Sequence, residues 1–320
     1  MTVDNRQTYR ELCDRESGFS LFQQAWWLDA VSENKWDAFF VEEDGQIVGA
    51  NAYHRLSKLG YTFSKMPMLT QHIGPWISPK VARDSDRMNI LRSLARQIRS
   101  VDWWTQNWST AHTNWLPFYW EGFRQTTRYT YRITDLRNIE YVWSQLSKSK
   151  RRDIRRAKSG DFGITFDSEP QPNDFLDLTW GTFARQNMEP PYSRDFLSRL
   201  LRASEDRGQS RIIIARDKDG NAHAAALAVW DHETLYYLVG GSDPQFRNSQ
   251  AGSMCIWEII RLAASQGLAF DFEGSMIEPI EKYFRGFGAQ RIPYYTISRV
   301  GPFKLSIFAW MRQRNLEMKR

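Results

Sequence analysis

The chain has 320 residues, of which 42% are hydrophobic, 14% aromatic and 25% charged; this is enough for a sizeable core, shows none of the bias of disordered or collagen-like chains, and is about twice the ~150-residue prior for one domain. A mean hydropathy of −0.58 and the lack of an apolar run of ~18 residues exclude a membrane-spanning helix, the polar start MTVDNRQTYRELCDRE has no apolar signal core, and Cys13 and Cys255 alone build neither a disulfide framework nor a four-cysteine zinc site. The expectation is a cytoplasmic globule with reduced thiols, whose net charge of +6 and pI of about 9.3 point to an anionic partner: a phosphorylated small molecule, RNA or a membrane surface.

Along the chain, residues 39–55 read as two strands around an Asp44-Gly45 turn. Nine of the fourteen tryptophans precede position 121, mostly as core or interface residues, with one or two available to an acceptor cleft. Gly122-Phe123-Arg124-Gln125 leads into the alternating strand 129–133. Helices are predicted over 139–158, 174–184 and 194–206, then strands at 211–216, 222–230 (turn at Asp219-Gly220) and 234–239. Helical apolar spacing returns over 254–264 and stops at Gly267. A buried strand at 268–272 follows, then Gly286-Phe287 and a strand at 294–297, and the apolar-basic tail 303–311 reads as a docking helix. The two Asp-Gly hairpins are 175 residues apart and the two Gly-Phe pairs 164 apart. That agreement predicts two homologous α/β units, 1–136 and 137–320, each a mixed sheet flanked by helices.

The sequence has no G-x-x-x-x-G-K-[ST], no G-x-G-x-x-G after a strand, no H-E-x-x-H and no G-x-S-x-G, so nucleotide hydrolysis, dinucleotide redox chemistry and zinc proteolysis lose their best support. The five histidines have no ligand spacing, and no metal is predicted. Three stretches have chemistry to offer. Gly240 to Ser253 joins a strand to a helix, where the first-turn N–H groups form either an anion site or an ordinary capped loop. Asp271-Phe272-Glu273 ends a buried strand with two acids at i and i+2, on one face, either as a general base or as a cap for the next helix. Lys282 to Gly288 sets Arg285 among aromatics and glycines, either to hold a phosphate or oxyanion or simply to stack.

Taken together, L-x-x-x-x-R-R-x-I-R-R-A-K (Leu146 to Lys158), Y-Y-L-V-G-G-S-D-P (Tyr236 to Pro244), D-F-E-G-S (Asp271 to Ser275) and F-R-G-F-G (Phe284 to Gly288) resemble the Fem family of peptidoglycan-bridge aminoacyltransferases and the related FemAB-like proteins of the GNAT superfamily. The resemblance covers 137–300 well and the first half through Ser20-x-Phe22-Gln23-x-x-Trp26 and Met66-Pro67. It implies a tandem GNAT-like fold and transfer of an amino acid from aminoacyl-tRNA to an amine on a nucleotide- or lipid-linked cell-wall precursor, or transfer of an acyl group from coenzyme A, with no tightly bound cofactor. Thr182-x-x-Arg185 and Tyr192 resemble the family's acceptor-side residues, joined by Tyr237. Phe284-Arg285 resembles the Phe-Lys pair at the donor end, with Arg in place of Lys. Arg247 to Gly252, with Ala251 and Ser253, resembles the GNAT pyrophosphate loop R-x-x-G-x-G/A, with Gln250 in place of its first glycine.

Between Lys148 and Lys158 seven cations face the single acid Asp153. Arg151 and Arg155, like Arg152 and Arg156, share helix faces and form either a tRNA-backbone stripe or a solvated surface. The sequence therefore predicts an acyltransferase with Glu273 and Arg285 as catalytic residues, Arg247, Ala251, Gly252, Ser253 and Phe284 on the donor side, and Arg185, Tyr192 and Tyr237 on the acceptor side. The runners-up are an acyl-CoA-dependent N-acyltransferase and a non-catalytic binder of RNA or an anionic envelope precursor.

Overall fold

The computed structural model describes residues 4–159, 162–185 and 188–301; the predicted tail helix over 303–311 lies outside them. The chain divides into two compact units, Met1–Arg128 with Pro293–Arg320, and Tyr129–Ile292.

The first unit opens with helices α1 (Asn5–Arg15), capped by the Asp4 carboxylate on the Arg6 N–H, and α2 (Ala25–Ser32). Strands β1 (Trp36–Glu43) and β2 (Gln46–Lys58) form the hairpin around Asp44-Gly45, both residues in the left-handed region. They are followed by β3 (Tyr61–Ser64), the short β4 (Trp76–Ile77), α3 (Asp84–Ile98), β5 (Trp103–Asn107), α4 (Leu116–Trp120) and β6 (Arg124–Ile133). β2 pairs antiparallel with β1, β3 and β4, β3 runs parallel to β5, and β5 pairs antiparallel with β12 (Gln290–Val300), the last strand of the chain. Ile90, Leu91, Leu94 and Ile98 of α3, at i, i+1, i+4 and i+8, bury one stripe among Tyr53, Trp104 and Trp108.

In the second unit the run expected as one helix over 139–158 is two, α5 (Ile139–Gln145) and α6 (Lys148–Ser159). The break has a local cause: Leu146 is extended and the Ser147 hydroxyl accepts from the Lys150 N–H at 3.2 Å, a new N-cap. Next come β7 (Thr165–Phe166), α7 (Pro172–Arg185), α8 (Arg194–Glu205), capped by Ser193, and strands β8 (Ser210–Arg216), β9 (Ala222–Trp230) and β10 (Thr234–Ser242). A 3-10 turn over Pro244–Ser249 leads to α9 (Ala251–Ser265), β11 (Ala269–Asp271) and α10 (Glu278–Arg285). The antiparallel run β7-β8-β9-β10 continues into β11, parallel to β10, and β11 pairs antiparallel with β6.

The same succession of hairpin, antiparallel strand, helix, parallel strand and helix thus occurs twice, β1-β2-β3-α3-β5-α4 and β8-β9-β10-α9-β11-α10. In each unit the last place in this order is taken by a strand from the other half of the sequence: β12 beside β5, and β6 beside β11.

Candidate active site

The carboxyl ends of parallel strands are where a sheet opens toward ligands, and in the second unit that is the end of the β10–β11 pair. Pairing covers only Thr234 to Tyr236 against Ala269 to Asp271. β10 then bulges between Tyr237 and Val239 and runs on with β9, while the chain after β11 leaves through Phe272, Glu273 and Gly274, the latter two at φ +59° and +67°. Gly274 is obligatory here, because a Cβ would lie 2.1 Å from the Tyr129 carbonyl oxygen. Phe272 anchors the turn, with its ring 4.7 Å from Phe270, 4.9 Å from Phe284 and 5.5 Å from Phe287; such aromatic pairs contribute about 0.5–1.5 kcal/mol each beyond their burial.

The two acids of this stretch behave differently, and the strand alternation expected for them ends one residue early. β11 stops at Asp271, so Glu273 is set by a left-handed backbone rather than by the pleat. Asp271 is buried and committed: it accepts from the Thr130 hydroxyl and, at 2.7 Å, from the Glu273 N–H, and pairs with Arg132 Nε at 3.4 Å. Glu273, half-buried as a residue, has a fully buried Oε1 with no hydrogen-bond partner. Burial, and secondarily the charge of Asp271, hold its carboxyl well above the usual carboxylate range.

The cation held among the aromatics here is not Arg285. Arg285 ends α10 with its side chain 64% exposed, 3.3 Å from Glu281 one turn back, because the inward position of this short amphipathic helix belongs to Phe284. The inward cation is Lys150 of α6. Its Nζ lies 3.6 Å from the centre of the Tyr283 ring and 5.4 Å from that of Phe287, donates to Ser253 Oγ at 3.2 Å, and is 3.7 Å from Asp153 Oδ2. Ser253 Oγ in turn shares a 3.0 Å hydrogen bond with the Tyr283 hydroxyl. Burial pushes Lys150 below the ordinary lysine range, against the opposing pull of Asp153, and pushes Tyr283 up to about 12. Sequence reading counted Lys150 in the basic stripe, although Lys150, Ile154 and Ala157 fall at i, i+4 and i+7 of α6, one helix face, and all three are buried. That register is the signal that could have found it.

Two further residues named from sequence, Tyr237 and Tyr192, lie near this cluster. Tyr237 follows the last β10–β11 pair, its ring 6.1 Å from Phe284. Burial raises its hydroxyl, and the neighbouring hydroxyl and thiol of Tyr283 and Cys255, with Tyr192, add to the effect. Tyr192 sits in an aromatic nest with Trp180 and Phe196 and is pushed up to about 12 by burial. These phenols are hydrogen-bond donors, not bases, at neutral pH. The Cys255 thiol is likewise pushed up to about 12 by burial, unlike a nucleophile's. Arg185 is the last residue of α7, and its side chain lies outside the described residues.

Among the residues expected on the donor side, Gln250, standing where the pyrophosphate-loop pattern has glycine, adopts φ +61° and ψ +19°, the left-handed backbone a glycine would take. Ala251 and Ser253 are buried in the first turn of α9 and Gly252 is half-buried, while Arg247 is exposed on the preceding turn. On the basic helix, Arg151 is half-buried and folds back to donate to the Ser144 carbonyl at 2.9 Å, while Arg152, Arg155 and Arg156 are exposed, Arg155 lying over the Trp143 ring at 5.7 Å.

Comparison with known proteins places this architecture. A GNAT acetyltransferase domain family matches residues 144–285. Among solved structures, FemX is similar over 91% of this chain and 95% of its own at 14% identity (TM-score 0.67). The C-terminal domain of a putative lysylphosphatidylglycerol synthetase from Agrobacterium fabrum is similar over 97% and 96% at 12% identity (TM-score 0.60). L-PGS from Bacillus licheniformis is similar over 97% and 96% at 11% identity (TM-score 0.56). At such identities the likeness is one of fold. No curated protein matches the chain. Residues 144–285 thus match an acetyltransferase domain of the GNAT type, in a chain whose fold is similar to that of FemX.

Proposed function

We propose that the second unit transfers an aminoacyl group from aminoacyl-tRNA to the amine of a small or lipid-linked acceptor such as a cell-wall precursor. The observation that carries this reading is the two-sidedness of α6: the helix that sends Lys150 into the polar cluster beside Tyr283 and Ser253 presents Arg152 and Arg156 to solvent on another face. One element then serves both a phosphate backbone and the reacting end of the donor. The fold likeness to FemX and to a putative lysylphosphatidylglycerol synthetase supports an aminoacyltransferase.

In the proposed reaction the acceptor nitrogen attacks the ester carbonyl carbon. The new C–N bond forms, the C–O bond to the ribose breaks, the amine gives up one proton, and the ribose oxygen takes one. Ionised Glu273 accepts the amine proton. A carboxyl raised above the usual range suits that task, because a higher pKa makes the ionised form a stronger base. Tyr237 and Tyr283, kept protonated by burial, are the available donors to the developing oxyanion or to the leaving oxygen. Lys150 fixes Tyr283 and Ser253 rather than attacking anything itself.

A second reading, transfer from acyl-CoA, is favoured by one observation: Gln250 retains the left-handed backbone of a pyrophosphate loop ahead of Gly252 and the start of α9. Incubating the protein with a candidate amine and either a pool of aminoacyl-tRNAs or a series of acyl-CoAs decides between them. Amide formation only with aminoacyl-tRNA supports the first reading, and formation only with a thioester replaces it with the second.

A further inference from the structure

A second polar construction lies in the first unit, on α3 and α4, and the transfer reaction does not use it. Arg92, Arg96 and Arg99 of α3 and the turn following it converge on one carboxylate: Arg92 Nε at 3.0 Å and Arg96 Nε at 3.1 Å on Glu121 Oε1, and Arg99 Nη1 at 3.3 Å on Oε2. Arg299 joins them by donating to the Arg99 carbonyl at 3.3 Å. Glu121 itself is buried, and the guanidiniums, Arg92 first, hold its carboxyl below the usual range. One carboxylate cannot neutralise three guanidiniums, and each of those arginine side chains remains about half exposed. Glu121 therefore fixes a cationic surface instead of cancelling it. Immediately before Glu121, α4 exposes Leu116, Tyr119 and Trp120, the last two at 59% and 51%, with the Arg92 guanidinium 5.9 Å from the Trp120 ring centre.

We infer that this face docks the protein on an anionic phospholipid surface, with the arginines meeting headgroup phosphates and the α4 side chains entering the interface. Arginine matches phosphate oxygens with paired N–H groups, and tyrosine and tryptophan settle where an apolar body meets a polar tip. A second copy of this chain would set the same arginines against each other. A nucleic acid would satisfy the cations but leaves the aliphatic Leu116 without a partner, whereas a bilayer covers both. The inference is independent of the donor the second unit uses.

The test is co-sedimentation of the full chain with vesicles of phosphatidylcholine alone and of phosphatidylcholine mixed with phosphatidylglycerol. Binding is expected only to the anionic vesicles and is expected to weaken with salt. Arg96→Gln should weaken it about fivefold, as expected for one cation near a charged membrane, and Trp120→Ser should weaken it without changing its salt dependence. Thermal melting confirms that both variants are folded. Absence of binding to anionic vesicles at low salt, equal binding to neutral ones, or unchanged binding by both variants overturns the inference. So does a loss confined to tRNA binding, which would make the face a nucleic-acid surface.

Discussion

Each repeated unit has a glutamate in the stretch between its parallel strand, β5 or β11, and the next strand in the chain, and the two carboxylates have opposite surroundings. Glu121, just before Gly122-Phe123, is held by three guanidiniums and depressed. Glu273, in the turn before α10, has a buried oxygen with no partner and is raised. Partners and not burial alone decide whether a buried acid is structural or chemical: a saturated carboxylate is a fixed charge, whereas an unsatisfied one waits for a proton or an amine.

Substitution by glutamine is the most direct way to break this comparison. Glu273→Gln should reduce transfer by about 10²–10⁴-fold, the usual effect of losing a general base, and Glu121→Gln should leave transfer unchanged. In the parent enzyme kcat/KM should fall as pH drops through a midpoint above the ordinary carboxylate range. The stability signs are also opposite. A raised carboxyl stabilises most in acid and its contribution is lost as pH rises through the folded value, so Glu273→Gln should melt higher than the parent at alkaline pH and equally in acid. A depressed carboxyl contributes above its unfolded value and loses that contribution as pH falls. Glu121→Gln should therefore cost about 1 kcal/mol near neutrality, a small figure because the arginines are half exposed, and less at high salt. Equal transfer losses in the two variants would remove the distinction.

The backbone offers the next test. Gly274 and Gly122 both have positive φ, but a Cβ at 274 meets the Tyr129 carbonyl and one at 122 meets nothing within 4 Å. Gly122→Ala should cost only the left-handed penalty of about 1–2 kcal/mol. Gly274→Ala should cost more in thermal melting and should also impair transfer as Glu273→Gln does, since the turn that sets Glu273 cannot close. Full activity in Gly274→Ala would show that the turn does not position the base.

Lys150 and Arg285 sharpen the comparison between what sequence and structure each pick out. Strand and helix periodicity located most of the second unit within a residue or two: β9 was expected at 222–230, where it lies, and α9 over 254–264 begins three residues earlier, at Ala251. The Asp-Gly and Gly-Phe offsets disclosed the repeat. Periodicity is a local signal, so it could not show that β12 lies beside β5, that Ser147 caps a new helix inside the basic run, or that a lysine 133 positions before Tyr283 stacks on its ring. Lys150→Met keeps the aliphatic packing and removes the ammonium. It should lower kcat on the order of 10- to 10²-fold through misplacement of Tyr283, with little change in KM. Arg285→Ala removes an exposed i,i+4 pair and should cost a few tenths of a kcal/mol. If Arg285→Ala proves the more damaging to kcat, the working cation is the one the motif alone suggested.

The smallest expected effect separates the two faces of α6. Arg151 and Arg155 are already engaged, with the Ser144 carbonyl and the Trp143 ring, and reversing them would disturb the α5–α6 junction as well as any bound phosphate. Arg152 and Arg156 are exposed on the helix surface, so charge reversal there tests phosphate binding with the least structural cost. If tRNA lies along α6, the double variant Arg152→Glu with Arg156→Glu should bind it more weakly, and a plot of log affinity against log salt should flatten by about one unit for each phosphate no longer neutralised, because fewer counterions are released. The reverse holds for an acyl-CoA donor, for which these substitutions should leave KM unchanged. A flattened salt slope in the Arg151 and Arg155 variant alone would instead assign the phosphate track to the side of α6 next to α5, and the Arg152 and Arg156 side would be a solvated surface with no part in binding.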